Sequence, residues 1–178
     1  MRRTGLLRLL EGGDRRSTGQ SDRVVSMIRQ DPSLFAELIS GLWSENALVR
    51  MRSADAAEKA SRDDSKLLAP YANELLGLMC ETQDKELRWH LAVIAPRVAT
   101  TASRRKLAWE NLRAYLDDTS SIVRTFALQG MADVATSDAT FRPEVIELLE
   151  DARRSGSAAM KARSRKLLKQ LSRLDSRQ

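Results

Sequence analysis

Four stretches of the chain superpose without a gap: NALVRMRSADAAEKA from Asn46, DKELRWHLAVIAPRV from Asp84, SSIVRTFALQGMADV from Ser120 and SAAMKARSRKLLKQL from Ser157. Their starts lie 36 to 38 residues apart. A fixed period of this size marks a repeat architecture, in which one small unit cannot bury its apolar side until a neighbour stacks on it. The interval has room for one antiparallel helix pair, and few other folds accommodate it.

Each stretch opens on a residue whose side-chain oxygen suits a helix N-cap, namely Asn46, Asp84, Ser120 and Ser157. Three positions later an apolar residue begins an inward stripe at helical spacing. The stripes are Val49, Ser53, Ala57 and Ala60; Leu87, Leu91, Ala95 and Val98; Val123, Ala127, Met131 and Val134; and Met160, Ser164, Leu168 and Leu171. Each of these helices needs a partner, and the candidates lie just upstream. Asp31 and Pro32 open one whose buried face is Leu34, Phe35, Leu38, Ile39, Leu42 and Trp43. A second carries Tyr71, Leu75, Leu78 and Met79 after Pro70, a third runs from about Ser103 through Leu107, Leu112 and Tyr115, and a fourth has Val145, Ile146 and Leu149 after Pro143. Ahead of all four, Ser21 or Asp22 starts a short helix with Val24, Val25 and Ile28, placed to cap the open end of the stack.

Composition agrees with helices. Ala, Leu, Arg and Glu dominate, and Gly and Pro number only 8 and 4 in 178 residues. The expected fold is all-α, with a flexible basic segment over 1–20, a repeat domain over 21–173 and a polar tail over 174–178. The single Cys80 has no disulfide partner within the chain and fits a reducing, cytoplasmic setting. No apolar run approaches the ~20 residues of a membrane-spanning helix, and the leucines of MRRTGLLRLL are too few and too interrupted for a signal peptide. Net charge is +6, but it is unevenly spread: residues 151–178 hold nine bases against two acids. Such an end attracts nucleic acid, anionic lipid or an acidic protein through the same long-range field.

The pairs Val49-Arg50, Leu87-Arg88, Val123-Arg124 and Met160-Lys161 stand in one column of the alignment. In this the chain resembles HEAT and HEAT-like repeats, including a group of small bacterial HEAT-repeat proteins, over about residues 32 to 173. The resemblance implies a short right-handed α-solenoid, an α-α superhelix of about four helix pairs plus the N-terminal capping helix. It also implies that Arg50, Arg88 and Arg124 form a ladder with acids of adjacent repeats. The fourth repeat departs from the pattern at Lys161 and in its basic surface, as a terminal cap does.

Chemistry that would make the chain an enzyme is sparse. One His and one Cys cannot supply a zinc site. Cys80 and His90 fall on successive helices, yet LLGLMC reads as packing and no orienting third group accompanies them. GGDRRSTG, from Gly12 to Gly19, lacks the Gly-Lys-Ser/Thr ending and the preceding strand of a phosphate loop, and reads as a flexible basic loop. The sequence therefore points to a non-enzymatic interaction module that needs no cofactor. In a HEAT stack the second helices line the concave side, where Arg52, Asp55, Trp89, His90, Val93, Arg97, Phe126 and Gln129 form the expected groove for a protein or peptide segment. Trp89 and Phe126 have the alternative of packing between repeats. Arg163, Lys166 and Lys169 are the expected anion-binding residues, which keeps nucleic acid as the alternative partner and leaves no role for a membrane.

Overall fold

The computed structural model describes residues 5–14 and 17–175; the expectations for the rest of the 1–20 segment and for the extreme C-terminus lie outside it. Among the described residues there are nine α-helices and no strand. The chain divides into two compact units, Met1–Tyr71 and Ala72–Gln178, where the sequence suggested one repeat domain. The division falls after a seven-residue 3-10 segment, Ser65–Tyr71, that contains Pro70.

In the first unit, α1 (Ser21–Gln30), α2 (Phe35–Ser40) and α3 (Ala47–Asp63) surround one core. α3 packs on α1, on α2 and on a short 3-10 turn, Leu6–Leu10. Its inward stripe of Val49, Ser53, Ala57 and Ala60 is buried, and Ala54 and Ala56 are buried beside it. Small side chains suit a helix enclosed on several sides. Within the segment expected to be flexible, Leu6 and Leu10 are fully buried. Trp43 is the opposite case: at 47% exposure it is not core. It ends a 3-10 turn, Gly41–Trp43, whose three residues per turn rotate it off the buried side. Nor does Ser21 cap α1; its hydroxyl donates instead to Asp55 Oδ2 at 2.6 Å.

The second unit consists of α4 (Ala72–Glu81), α5 (Lys85–Val98), α6 (Ala102–Ala114), α7 (Ser121–Ser137), α8 (Arg142–Ser155) and α9 (Ala158–Asp175). α5 packs on α7 and α7 on α9, while α4, α6 and α8 lie against them as their hairpin partners. This is helix packing of the bundle or solenoid kind. The stripes of α5 and α7 are buried as expected; in α9 Leu167, seven residues after Met160, takes the buried place assigned to Leu168. In α6 the buried face is Ala108, Trp109, Asn111 and Leu112, with Tyr115 buried just beyond its end, leaving Leu107 at 38% exposure. Asn111 is tolerated there because its Nδ2 donates to the Leu76 carbonyl at 2.9 Å, as the Tyr115 hydroxyl does to that of Met79 at 2.8 Å. Burial raises the Tyr115 pKa, which keeps that hydroxyl a donor.

Asn46, Asp84 and Ser157 accept the expected N-cap hydrogen bonds from Leu48, Glu86 and Met160. Ser120 does not cap α7. Asp118, two residues earlier, instead accepts from the Ser120 amide at 2.7 Å. α5 runs through Pro96 and stops two residues later. Proline has no N–H for the Ala92 carbonyl four residues back, and α7 places Gly130 against that oxygen. A Cβ at Gly130 would overlap it and approach Leu112 Cδ2 to 2.8 Å. The closest approach of α5 and α7 thus depends on a glycine facing the turn that a proline leaves open.

Candidate functional site: the face of α5, α7 and α9

The arginine column has a repeated job. Arg50 Nη1, Arg88 Nε and Arg124 Nη1 donate to the carbonyls of Ser44, Thr82 and Asp118, each six residues earlier, at 2.7 to 2.8 Å. Each reaches back across its own turn to carbonyls that no helix satisfies. Arg88 also meets Asp118 Oδ2 at 2.5 Å, the kind of link between repeats that the resemblance implies. Burial alone would raise the Asp118 pKa, but the Ser120 amide and the Arg88 guanidinium more than offset it and hold the carboxyl below its ordinary value.

Two expected groove residues are not on a free surface at all. Arg52 is 1% exposed. Its Nη1 donates to the Leu10 and Gly12 carbonyls at 2.8 and 2.6 Å, Nη2 to Asp14 at 3.0 Å and Nε to Ser17 at 3.1 Å. The segment read as a loose basic loop is therefore wrapped around a guanidinium, its oxygens turned inward. Converging carbonyls are the wrong polarity for phosphate, so this geometry argues against an anion site more directly than the missing motif did. Gly19, at φ +57°, closes the wrap: a Cβ there would stand 2.8 Å from the Arg52 guanidinium carbon. His90, at 2% exposure, is likewise core. Both residues point toward a covered side because the helices bearing them are enclosed more fully than a simple two-sided stripe implies. Asp55 is half-buried and bonded to Ser21 and Lys59.

The remaining groove residues come together in the second unit. Trp89, Val93 and Arg97 on α5 and Phe126 and Gln129 on α7 are half-buried, as are two residues outside that expected groove, Asp133 on α7 and Arg163 on α9. The Trp89 and Phe126 rings stack with centroids 5.1 Å apart, and His90 lies on the other side of Trp89 at 3.4 Å. The Arg163 guanidinium covers Phe126 at 5.3 Å. Trp89 and Phe126 therefore take up the packing alternative, their faces spent on each other and on His90 and Arg163. Both rings nevertheless stay only half-buried. Gln129 ties the polar half together: its Oε1 accepts from Arg163 at 2.7 Å and its Nε2 donates to Asp133 at 2.9 Å. Burial raises the Asp133 pKa, against the opposing pull of that amide and of Arg97 and Arg163.

The expected anion-binding set separates. Arg163 is engaged with Phe126 and Gln129, whereas Lys166 and Lys169 are exposed beside a shallow open depression that Gln170, Arg173 and Leu174 also line. Cys80 is exposed rather than buried, and its thiol donates to Asn111 Oδ1 at 2.9 Å. Among the described residues no three His, Cys, Asp or Glu side chains lie close enough to hold a metal ion, and no helix is long and apolar enough to cross a membrane. Sequence reasoning missed Asn111 and Glu58, which is 4% exposed and paired with Arg62 Nη2 at 2.5 Å. The one available signal for Glu58 was the four-residue spacing to Arg62.

No family model, no curated protein and no solved structure matches the chain. Its function is therefore argued from this geometry alone.

Proposed function

We propose that the chain is a HEAT-like protein, its pairs α2/α3, α4/α5, α6/α7 and α8/α9 belonging to a short right-handed α-solenoid with α1 as the cap. We further propose that it acts as a non-enzymatic binding module in the cytoplasm, holding a protein or peptide segment along the face of α5, α7 and α9. The observation that carries this reading is the row of Trp89, Phe126 and Arg163, one from each helix, locked by stacking and by the Gln129 hydrogen bonds. Side chains already fixed lose little freedom on binding, and aromatic and arginine groups are those that most often anchor a partner.

The test is selection of binders from a displayed random-peptide library, followed by titration. Val93→Arg and Phe126→Ala should each weaken the selected peptides at least tenfold while leaving helicity intact. Peptides that bind both variants as tightly as the parent would place the interaction elsewhere.

A further inference from the structure

α9 carries its charge unlike any other helix of the chain. Its 18 residues contain six cations against one acid, Asp175 at the last position. Arg163 turns toward α7. Lys161, Arg165, Lys169 and Arg173 follow one another at four-residue intervals, with Lys166 beside them. At about 100° per residue these five fall within an arc of about 140°, opposite the buried side of Ser164, Leu167 and Leu171. The row is roughly 18 Å long at about 1.5 Å per residue.

None of the five side chains is in an ion pair or hydrogen bond among the described residues. On the adjoining α8 such groups are neutralised: Arg153 meets Glu150 at 2.6 Å and Arg154 meets Asp151. Like charges four residues apart on a helix repel and destabilise it. The helix dipole favours cations only near the C-terminal end, which accounts for Arg173 but not for Lys161 in the first turn. A ladder that opposes its own helix is relieved when an anionic surface lies along it.

The composition of this side narrows what that surface is. The residues exposed with the cations are Ala158, Ala159, Ala162, Gln170 and Ser172, and the only large apolar side chains at the borders, Leu168 and Leu174, are half-buried. An anionic membrane would need a broad face of large apolar side chains to enter the interface. Single-stranded nucleic acid would need aromatic platforms for its bases, and a protein partner would need buried apolar or aromatic anchors. A duplex phosphate backbone needs only spaced cations on a rigid support. We propose that the outer side of α9 binds the phosphodiester backbone of duplex nucleic acid without reading its sequence, through Lys161, Arg165, Lys166, Lys169 and Arg173. This goes beyond the protein-binding face, which uses Arg163 and the aromatic row.

The experiment is fluorescence anisotropy of the full chain with fluorescein-labelled 20-base-pair duplexes of mixed sequence, DNA and RNA in separate arms, at several salt concentrations. Binding of either duplex is expected, with log K falling against log salt at a slope of about −4 for four to five neutralised phosphates. The triple variant Arg165→Gln, Lys169→Gln, Arg173→Gln should bind at least tenfold more weakly and with a slope shallower by about 2.7, for three lost contacts. Circular dichroism of the two proteins should coincide. The double variant Arg153→Gln, Arg154→Gln, which removes cations already paired, should keep the parent slope. The proposal is overturned if neither duplex binds at 50 mM salt, or if the triple variant keeps the parent slope. It is equally overturned if the α8 variant loses as much per charge as the α9 variant, or if polyglutamate or phosphatidylserine vesicles bind as tightly as the duplexes.

Discussion

Arg52 and Arg163 stand at the same place in their repeats, three residues after the apolar residue that opens each inward stripe, and they end in opposite circumstances. Arg52 is sealed in the first unit, with four backbone carbonyls around it and no carboxylate. Arg163 remains half-open in the second, lying on a phenyl ring and holding one glutamine. Register sets the direction in which a side chain leaves its helix; it does not set what lies there. In the first unit Leu10, Gly12, Asp14 and Ser17 arrive to cover the position, whereas α9 packs chiefly on α7 and α8. A buried guanidinium is costly unless its donors are satisfied, so Arg52 and the wrap around it depend on each other.

The largest effect should follow from breaking that dependence. Arg52→Ala removes the donors of four inward carbonyls, and we expect a loss of about 3–5 kcal/mol, read as a lower urea midpoint. A variant as stable as the parent would mean that the wrap does not need its guanidinium. Gly19→Ala attacks the same wrap from outside, through a positive φ and a Cβ against the guanidinium, and should cost about 1–2 kcal/mol. Arg163→Ala, by contrast, gives up one cation-π contact and one hydrogen bond, and should cost about 1 kcal/mol or less. If the costs of removing Arg52 and Arg163 prove equal, the two settings do not differ in the way described.

Two aspartates extend the comparison to pH, and their signs differ. The Asp118 carboxyl is held below its ordinary value of 3.8 by the Ser120 amide and Arg88, so its stabilisation is complete above that value and fades as pH falls through and below it. Asp118→Asn should therefore flatten the acid limb of a stability profile measured by denaturant midpoint. Asp133 is raised by burial, so its ionised form costs stability at neutral pH, and protonation relieves that cost as pH falls. Asp133→Asn should leave neutral-pH stability unchanged or slightly higher, the smallest effect of the series. A marked loss instead would show that Arg97 and Arg163 depend on its charge.

Much of the architecture was legible in residue order. The inward stripes of α3, α5 and α7 are buried residue for residue, and three of the four expected N-caps form, because spacing and capping are local properties that a helix expresses wherever it packs. The candidate site was less legible. Val93, Arg97 and Gln129 are half-open on the helices that carry Trp89 and Phe126, but Arg52 and His90 are buried. Trp43 and Leu107 failed in the other direction, since a 3-10 turn and a buried asparagine shift the stripe by a fraction of a turn.

What the amino-acid order determined by itself is the helical period, the hairpin lengths and the uncompensated charge of α9, all of which depend on residues within a few positions of one another. What only the tertiary structure decided is which outward-pointing groups become covered. The carbonyls that meet Arg52 lie 35 to 42 residues before it, and the glycine that admits α7 against α5 faces an oxygen left free by a proline on another helix. Burial of that kind is a property of pairs distant in the chain, and no spacing rule along a single helix contains it.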